Sequence, residues 1–423
     1  MHVYVVQPGD TLSGVSARCR LTPERLAAAN DLPPASYLLP GHPLCIPSEV
    51  QVEGTDGFHT IEVQPGETLR SLSERWNVPL TWLACCNHLY TEQVSAGDFL
   101  LIPHTAARAS GKKRLLPLAA LEPLHGLPPL AYRLRAGLRV DAAGRLHFSA
   151  SSASSASPLS GASEPRTLYV CGLDGAANIL GDVAKAILRS ELTQEHLLAE
   201  MAAKLRAHDG AGVVFRWTDV RPVVERAYLD LVREAGRRLR PMGLVVGLHL
   251  PSDSPLLRRP IPLADAAAQI DHVFYEPVRT QPLDGEDFFR KAPPPLLGLD
   301  DLQEAMARAD GLLPLEKIWA TLRPAAAVVQ RRRVLQQLSP HQALHYAYQH
   351  GFPIARDGGS ELAWFRCSGG EGGCSVWHED LWSMLRKLEL VESLKLQGLA
   401  LWESGAYLPE LWTYLREEYE TRE

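Results

Sequence analysis

Gln7-Pro8-Gly9-Asp10-Thr11-Leu12 returns as Gln64-Pro65-Gly66-Glu67-Thr68-Leu69, and the offset persists downstream. Asn30 recurs as Asn87 and Ile46-Pro47 as Ile102-Pro103, so the spacing is 57 residues and then 56. A constant offset over this length marks a duplicated small domain, and a tandem pair points to binding by avidity. Each copy reads strand, helix, helix, strand. Val3, Val5 and Gln7 alternate with Tyr4 and Val6 as in a strand. Pro8-Gly9 turns the chain, and Asp10 is expected to cap a helix running to Arg18. Thr22-Pro23-Glu24 starts the second helix with Pro where a missing N–H costs nothing. Leu38-Leu39-Pro40-Gly41 then turns into the closing strand at 43–47. The polar, acidic stretch 48–57 links the copies.

Both copies resemble LysM domains, and the likeness covers each end to end (residues 2–48 and 58–104). It implies binding of N-acetylglucosamine-containing glycans such as peptidoglycan or chitin. The sugar groove would lie between the first turn and the loop before the last strand. In copy one that groove comprises Gly9, Asp10, Thr11, Asn30, Leu38, Leu39, Pro40 and Gly41. In copy two it comprises Gly66, Glu67, Thr68, Asn87 and the loop from Val94 to Gly97. The same residue types also serve as ordinary turn and cap chemistry.

From residue 112 onward, apolar strand-like runs alternate with helical patterns, as βα units do. Strands are expected at 115–118, 130–134, 167–172, 212–217, 244–250, 272–276, 317–322 and 397–402. The clearest helices are expected at 194–207, 223–239, 341–350 and 381–395. Eight such strands predict an α/β fold, a (β/α)8 TIM barrel over 112–423, after the two small βααβ domains. Eight serines between Ser149 and Ser163 read as an insertion between barrel strands two and three. A doubly wound open sheet is the other candidate, without a Gly-x-Gly-x-x-Gly to support it.

Composition narrows the function classes. The net charge of −6 gives no basic field for nucleic acid. No apolar run reaches the roughly 18 residues that span a bilayer. Met1-His2-Val3-Tyr4 enters a strand rather than a signal peptide. Of seven cysteines, Cys367 and Cys374 flank a Gly-rich turn, and Cys19 and Cys45 fall within one copy; either pair is open to bridging or to burial as free thiols. His341 and His345 have i, i+4 spacing but no third ligand, so no metal and no cofactor are expected.

The C-terminal part resembles glycoside hydrolase family 18, in its branch of spore cortex-lytic N-acetylglucosaminidases with N-terminal LysM pairs. The matching stretches are Tyr132-Arg133-Leu134 with Asp141 to Leu146, Gly212 to Trp217, Ser339 to Ala343, and Gln397 to Trp402. The resemblance implies that Trp402 floors the sugar subsite. It also implies an Asp-x-Asp-x-Glu pattern ending strand four, whose Glu protonates the leaving group and whose adjacent Asp orients the substrate's acetamido nucleophile, with a Tyr from strand six. Here those positions read Val214, Arg216, Thr218 and Val278. Threonine is no acid at neutral pH, and a positioned acid is worth about 10²–10⁴-fold. A guanidinium roughly 4 Å from a developing cation repels it by about 4 kcal/mol at an effective dielectric of about 20.

Asp219 and Glu276 are the substitutes to consider for the acid, and Glu276 is alternatively expected to pair with Arg216. Arg216, Arg279 and Arg323 near the strand ends suit an anionic glycan or peptide carboxylate. Internal pairing with Glu276, Asp219 and Asp253 is the alternative. Three functions stay in view. The first is a spore-envelope, peptidoglycan-binding protein with an inactive barrel. The second is an active N-acetylglucosaminidase with a relocated acid, and the third a scaffold for spore coat proteins. The resemblance places the chain in the mother-cell cytoplasm for deposition onto the spore.

Overall fold

The computed structural model describes residues 2–33, 36–47, 55–76, 78, 80, 83–84, 87, 89, 93–105, 114–121, 130–148, 165–174, 180–217, 220–278, 296–330, 333–367, 374–402 and 408–420. The serine-rich stretch 149–164 lies outside them. The chain divides into two compact units. One gathers residues 1–115, 325–385 and 407–420; the other gathers 116–324 and 386–406, with the last three residues.

In the first unit, His2–Val5 pairs antiparallel with Pro43–Ile46, and helices Leu12–Arg18 and Pro23–Ala29 lie between them in sequence. Val15, Leu26 and Leu44 are fully buried in this small core. The cap of the first helix is Thr11, whose hydroxyl accepts from Gly14 N–H at 3.0 Å, and not Asp10 as expected from sequence. Asp10 instead holds the preceding turn: it accepts from Gln7 N–H (2.8 Å) and Tyr4 Oη–H (2.6 Å) and pairs with Arg18 (2.7 Å). Those bonds hold its carboxyl below the ordinary range against the opposing cost of burial.

Copy two repeats the strand pair and, in Leu69–Trp76, the first helix. Thr55–Glu62 pairs with Phe99–Thr105, Glu67 accepts from Gln64 N–H at 2.8 Å, and Arg75 pairs with Glu67 at 2.5 Å. Gly41 N–H donates to Val6 O at 2.8 Å, and Gly97 N–H to Val63 O at 2.9 Å, so both closing loops have one geometry.

The first unit also contains a five-stranded antiparallel sheet that the sequence reading did not anticipate. Its members are Ala326–Gln330, Arg333–Leu338, Ala355–Arg356, Ala363–Cys367 and Cys374–His378. Trp364 faces Trp377 across one pair, with ring centres 5.6 Å apart. Cys367 and Cys374, opposite one another, are disulfide-bonded, whereas Cys19 and Cys45 are free and buried. Helix Pro340–His350 carries a full capping box from Ser339 and Gln342, and its His341 and His345 are exposed.

Copy one is built into this subdomain. Leu39 shares a buried cluster with Ala326, Ala343, Ile354 and Phe365. Ile354 N–H donates to Pro40 O at 2.9 Å, and His42 Nδ1 lies 2.7 Å from the Tyr348 hydroxyl. Helix Pro409–Glu418 packs on strand Pro43–Ile46.

Glu410, in the first turn of that helix, is buried, and desolvation raises its pKa to about 7, with Asp380 and Asp31 adding to the effect. A carboxyl raised on folding contributes stability below its unfolded pKa and loses it as pH rises through the folded value. Glu410→Gln is therefore expected to stabilise the chain at pH 8 relative to its effect at pH 4, by up to about 3 kcal/mol. Thermal unfolding at both pH values reads this directly. Buried His42, whose pKa burial lowers to about 4, acts at the other end: its contribution is present above its unfolded pKa and lost on acidification.

The second unit is a closed parallel barrel of eight strands: Leu118–Leu121, Tyr132–Val140, Arg166–Leu173, Gly212–Phe215, Val245–Pro251, His272–Glu276, Ile318–Leu322 and Gly398–Leu401. Each pairs with the next, and the last returns to the first at Leu399–Leu118. Alternate side chains fill the interior, among them Leu134, Leu168, Val214, Phe274, Trp319 and Trp402. The first strand begins three residues later than expected, because Pro117 lacks the N–H a ladder position needs.

Candidate functional site

A strand's period of two sets the barrel mouth. Val214 is buried in the interior, and two residues on, Arg216 rises over it. Its backbone N–H still donates to Cys171 O at 2.9 Å, which keeps it in the strand direction. The guanidinium carbon lies 5.2 Å from the centre of the Trp402 ring. His249, inward on strand five, stacks on the same ring at 4.7 Å and 26°. Trp402 is 0% exposed, so the aromatic expected to floor a sugar is covered by the protein's own side chains.

Glu276 ends strand six two residues after the buried Phe274 and is clasped on both oxygens. His249 Nε2 is 2.7 Å from one and Arg323 Nε 2.5 Å from the other. Of the internal pairings expected for the mouth arginines, it is Arg323 rather than Arg216 that takes Glu276 among the described ion pairs, with His249 on the other oxygen. Burial alone would raise the Glu276 pKa, but His249 and Arg323 outweigh it and hold the carboxyl below its usual range. Burial also lowers the His249 pKa, with Arg216 and Arg323 adding to the effect and Glu276 opposing it. At neutral pH the pair is therefore a neutral imidazole beside a carboxylate. A general acid needs a pKa raised toward the working pH, and the shift of Glu276 runs the other way.

Val278, expected from the resemblance to stand in place of a tyrosine, is half-buried and donates its N–H to Ser252 Oγ at 2.8 Å. Thr218, Asp219 and Arg279 lie outside the described residues. His249 was not anticipated; its signal is a lone polar residue at an inward position of an apolar strand. Among the described residues, no group of three His, Cys, Asp or Glu side chains is placed to hold a metal ion. A surface cleft lined by Gly236, Arg240 and Asp271 sits at the amino ends of the strands, away from the mouth.

In the LysM copies the expected glycan residues separate. Asn30 is buried; its amide N–H groups donate to Leu26 O and Cys45 O (both 2.8 Å), and its Oδ1 accepts from Cys45 N–H at 2.5 Å. It staples a helix to the closing strand. Asn87 repeats one of these bonds, to Leu83 O at 2.9 Å. Thr11 and Thr68 cap their helices, and Gly9 and Gly66 face open space. Leu38 and Leu39 are buried, whereas Ser95, Ala96 and Gly97 are exposed and Val94 is half-buried.

Residues 4–47 and 61–103 match the LysM domain family, so the chain carries two LysM domains. The Bacillus subtilis (strain 168) protein described as "Cortical fragment-lytic enzyme" is 25% identical over 252 residues, 56% of either chain. The match thus spans little more than half the length of that relative. The crystal structure of the spore cortex-lytic enzyme SleL of Bacillus megaterium QM B1551 superposes with a TM-score of 0.72 at 20% identity, covering 99% of this chain and 98% of that one. A chitinase from Chromobacterium violaceum ATCC 12472 gives a TM-score of 0.57 at 16% identity, covering 72% of this chain and 98% of its own. The fold is therefore that of the SleL structure, with a closed parallel eight-stranded barrel. No described helix is long and apolar enough to cross a membrane.

Proposed function

We propose that this chain binds N-acetylglucosamine-containing peptidoglycan of the spore envelope through its LysM modules, and that its barrel does not carry out the hydrolysis of its fold relatives. The LysM match and the sporulation context of the relatives support the first half. One observation carries the second: Arg216 lies on a fully buried Trp402 where an orienting carboxylate and an open sugar platform are needed. A fixed cation there opposes an oxazolinium-like intermediate, and the penalty falls in the transition state. Glu276, at the end of strand six, is committed to Arg323 and His249.

Incubation of the full chain with purified cortex peptidoglycan is the test. Co-sedimentation without release of reducing ends is expected. Release of reducing ends that is abolished by Asp219→Asn or Glu276→Gln would establish a relocated acid and end the proposal of an inactive barrel. Removing residues 1–105 is not a clean control for binding, because it strips Leu39 from the cluster it shares with Phe365 and leaves that sheet exposed.

A further inference from the structure

We infer that the two LysM copies have divided their work: copy two is the glycan-reading module, and copy one is a structural part of its unit whose groove loop is spent on the chain's own five-stranded subdomain. The inference rests on the glycan-binding reading above and adds which module acts and how many sugars one chain holds.

The two copies share one backbone design, so their differences isolate what surrounds them. The closing-loop glycines have the same conformation, φ +88° at Gly41 and +92° at Gly97. A Cβ placed on Gly41 would fall 1.8 Å from Ile354 O, whereas one on Gly97 meets nothing within 4 Å. Pro40 O, which a ligand entering the groove would meet, already accepts from Ile354 N–H. Leu39 is 2% exposed and points into the cluster around Phe365; its counterpart Ser95 is exposed and closes its own loop through Asp98, at 2.7 Å. Just after the two glycines, His42 is buried against Tyr348 while Asp98 is exposed. Phe99, just past the free loop, is 71% exposed, an apolar face beside polar backbone of the kind a pyranose ring covers.

A glycan reaching the copy-one loop must first undock it, which means exposing Leu39 and breaking the Pro40–Ile354 bond. Its affinity is lowered by the fraction of chains in which that loop is free. Among the described residues, nothing imposes such a penalty on the copy-two loop. The duplication then supplies one anchor and one reader rather than two equal readers.

Isothermal titration of the full-length protein with a soluble N-acetylglucosamine oligosaccharide tests this. One oligosaccharide per chain is expected. Thr68→Asp keeps an oxygen acceptor at the helix cap while placing a charge in the copy-two groove, and it should weaken binding at least tenfold. Ala96→Arg, at an exposed loop position, should do the same, and an unchanged melting curve shows that neither variant acts through unfolding. Two oligosaccharides per chain, or binding within twofold of the parent in both variants, would overturn the division of labour while leaving the chain a glycan binder. No binding by the parent chain to oligosaccharide or to peptidoglycan would remove the glycan reading itself.

Discussion

Gly41→Ala is expected to destabilise the LysM-bearing unit by about 3 kcal/mol, whereas Gly97→Ala, the same change in the second copy, costs about 1 kcal/mol. Both glycines sit at positive φ, near +90°, so both variants take the same backbone strain, and the difference between them isolates one contact. At Gly41 the new methyl would overlap the Ile354 carbonyl. A backbone carbonyl cannot rotate away as a side chain can. The loop must therefore lift, and with it Leu39 leaves its buried cluster and the 2.9 Å bond from Ile354 N–H to Pro40 O is broken. At Gly97 nothing is displaced. Because the chain has two units, global two-state behaviour is not assured, so the comparison belongs on the transition of the LysM-bearing unit. Native-state hydrogen exchange of Ile354 N–H, whose acceptor is Pro40 O, reports it directly. Equal losses for the two variants would show that copy one is not held by this contact.

How much of this was readable beforehand follows from which interactions are local. The Gln-Pro-Gly repeat gave both LysM copies because turn and cap chemistry depends on near neighbours. Even so, the cap fell on Thr11 rather than Asp10, since Asp10 is recruited by Tyr4 and Arg18 from elsewhere in its module. All eight barrel strands lie within a few residues of their apolar runs, because a parallel strand buried on both faces is a continuous apolar run. The five-stranded sheet was present as signal: Ala363, Phe365 and Cys367 are buried with Trp364 and Arg366 between them, before a Gly-rich turn and Cys374. With eight strands already accounting for the barrel, the sequence marks these residues only as flanks of a possible disulfide. The mouth divides the same way. Positions 214 and 216 followed from period two on strand four. The covering of Trp402 by Arg216 and His249 could not follow, because it needs three strands brought together. Nor does one strand's pattern reveal that Glu276 chooses Arg323 over Arg216.

That choice sets the second large effect. Glu276→Gln keeps the shape of the side chain and removes its charge, leaving Arg323 and the buried His249 facing an amide. Breaking a buried ion pair by removing one partner is costly because the other charge remains desolvated. With Glu276 near the rim, its side chain 13% exposed, a loss of about 2–3 kcal/mol is expected. The same carboxylate makes the parent chain acid-sensitive. Its pKa is depressed on folding, so its contribution is present above the unfolded value of about 4.5 and is lost as pH falls through the folded one. The parent and Glu276→Gln should therefore differ most near neutral pH and converge on acidification, as urea midpoints measured across that range will show. A catalytic acid predicts another outcome: Glu276→Gln would then abolish sugar release, and stability would change little, since a proton donor held for catalysis is neutral at its working pH and has no ion pair to lose. Loss of stability at neutral pH in a chain that releases no sugar with or without the substitution is what a structural carboxylate requires. It would make Glu276 a structural carboxylate that holds His249 and Arg323 in the mouth rather than a proton donor.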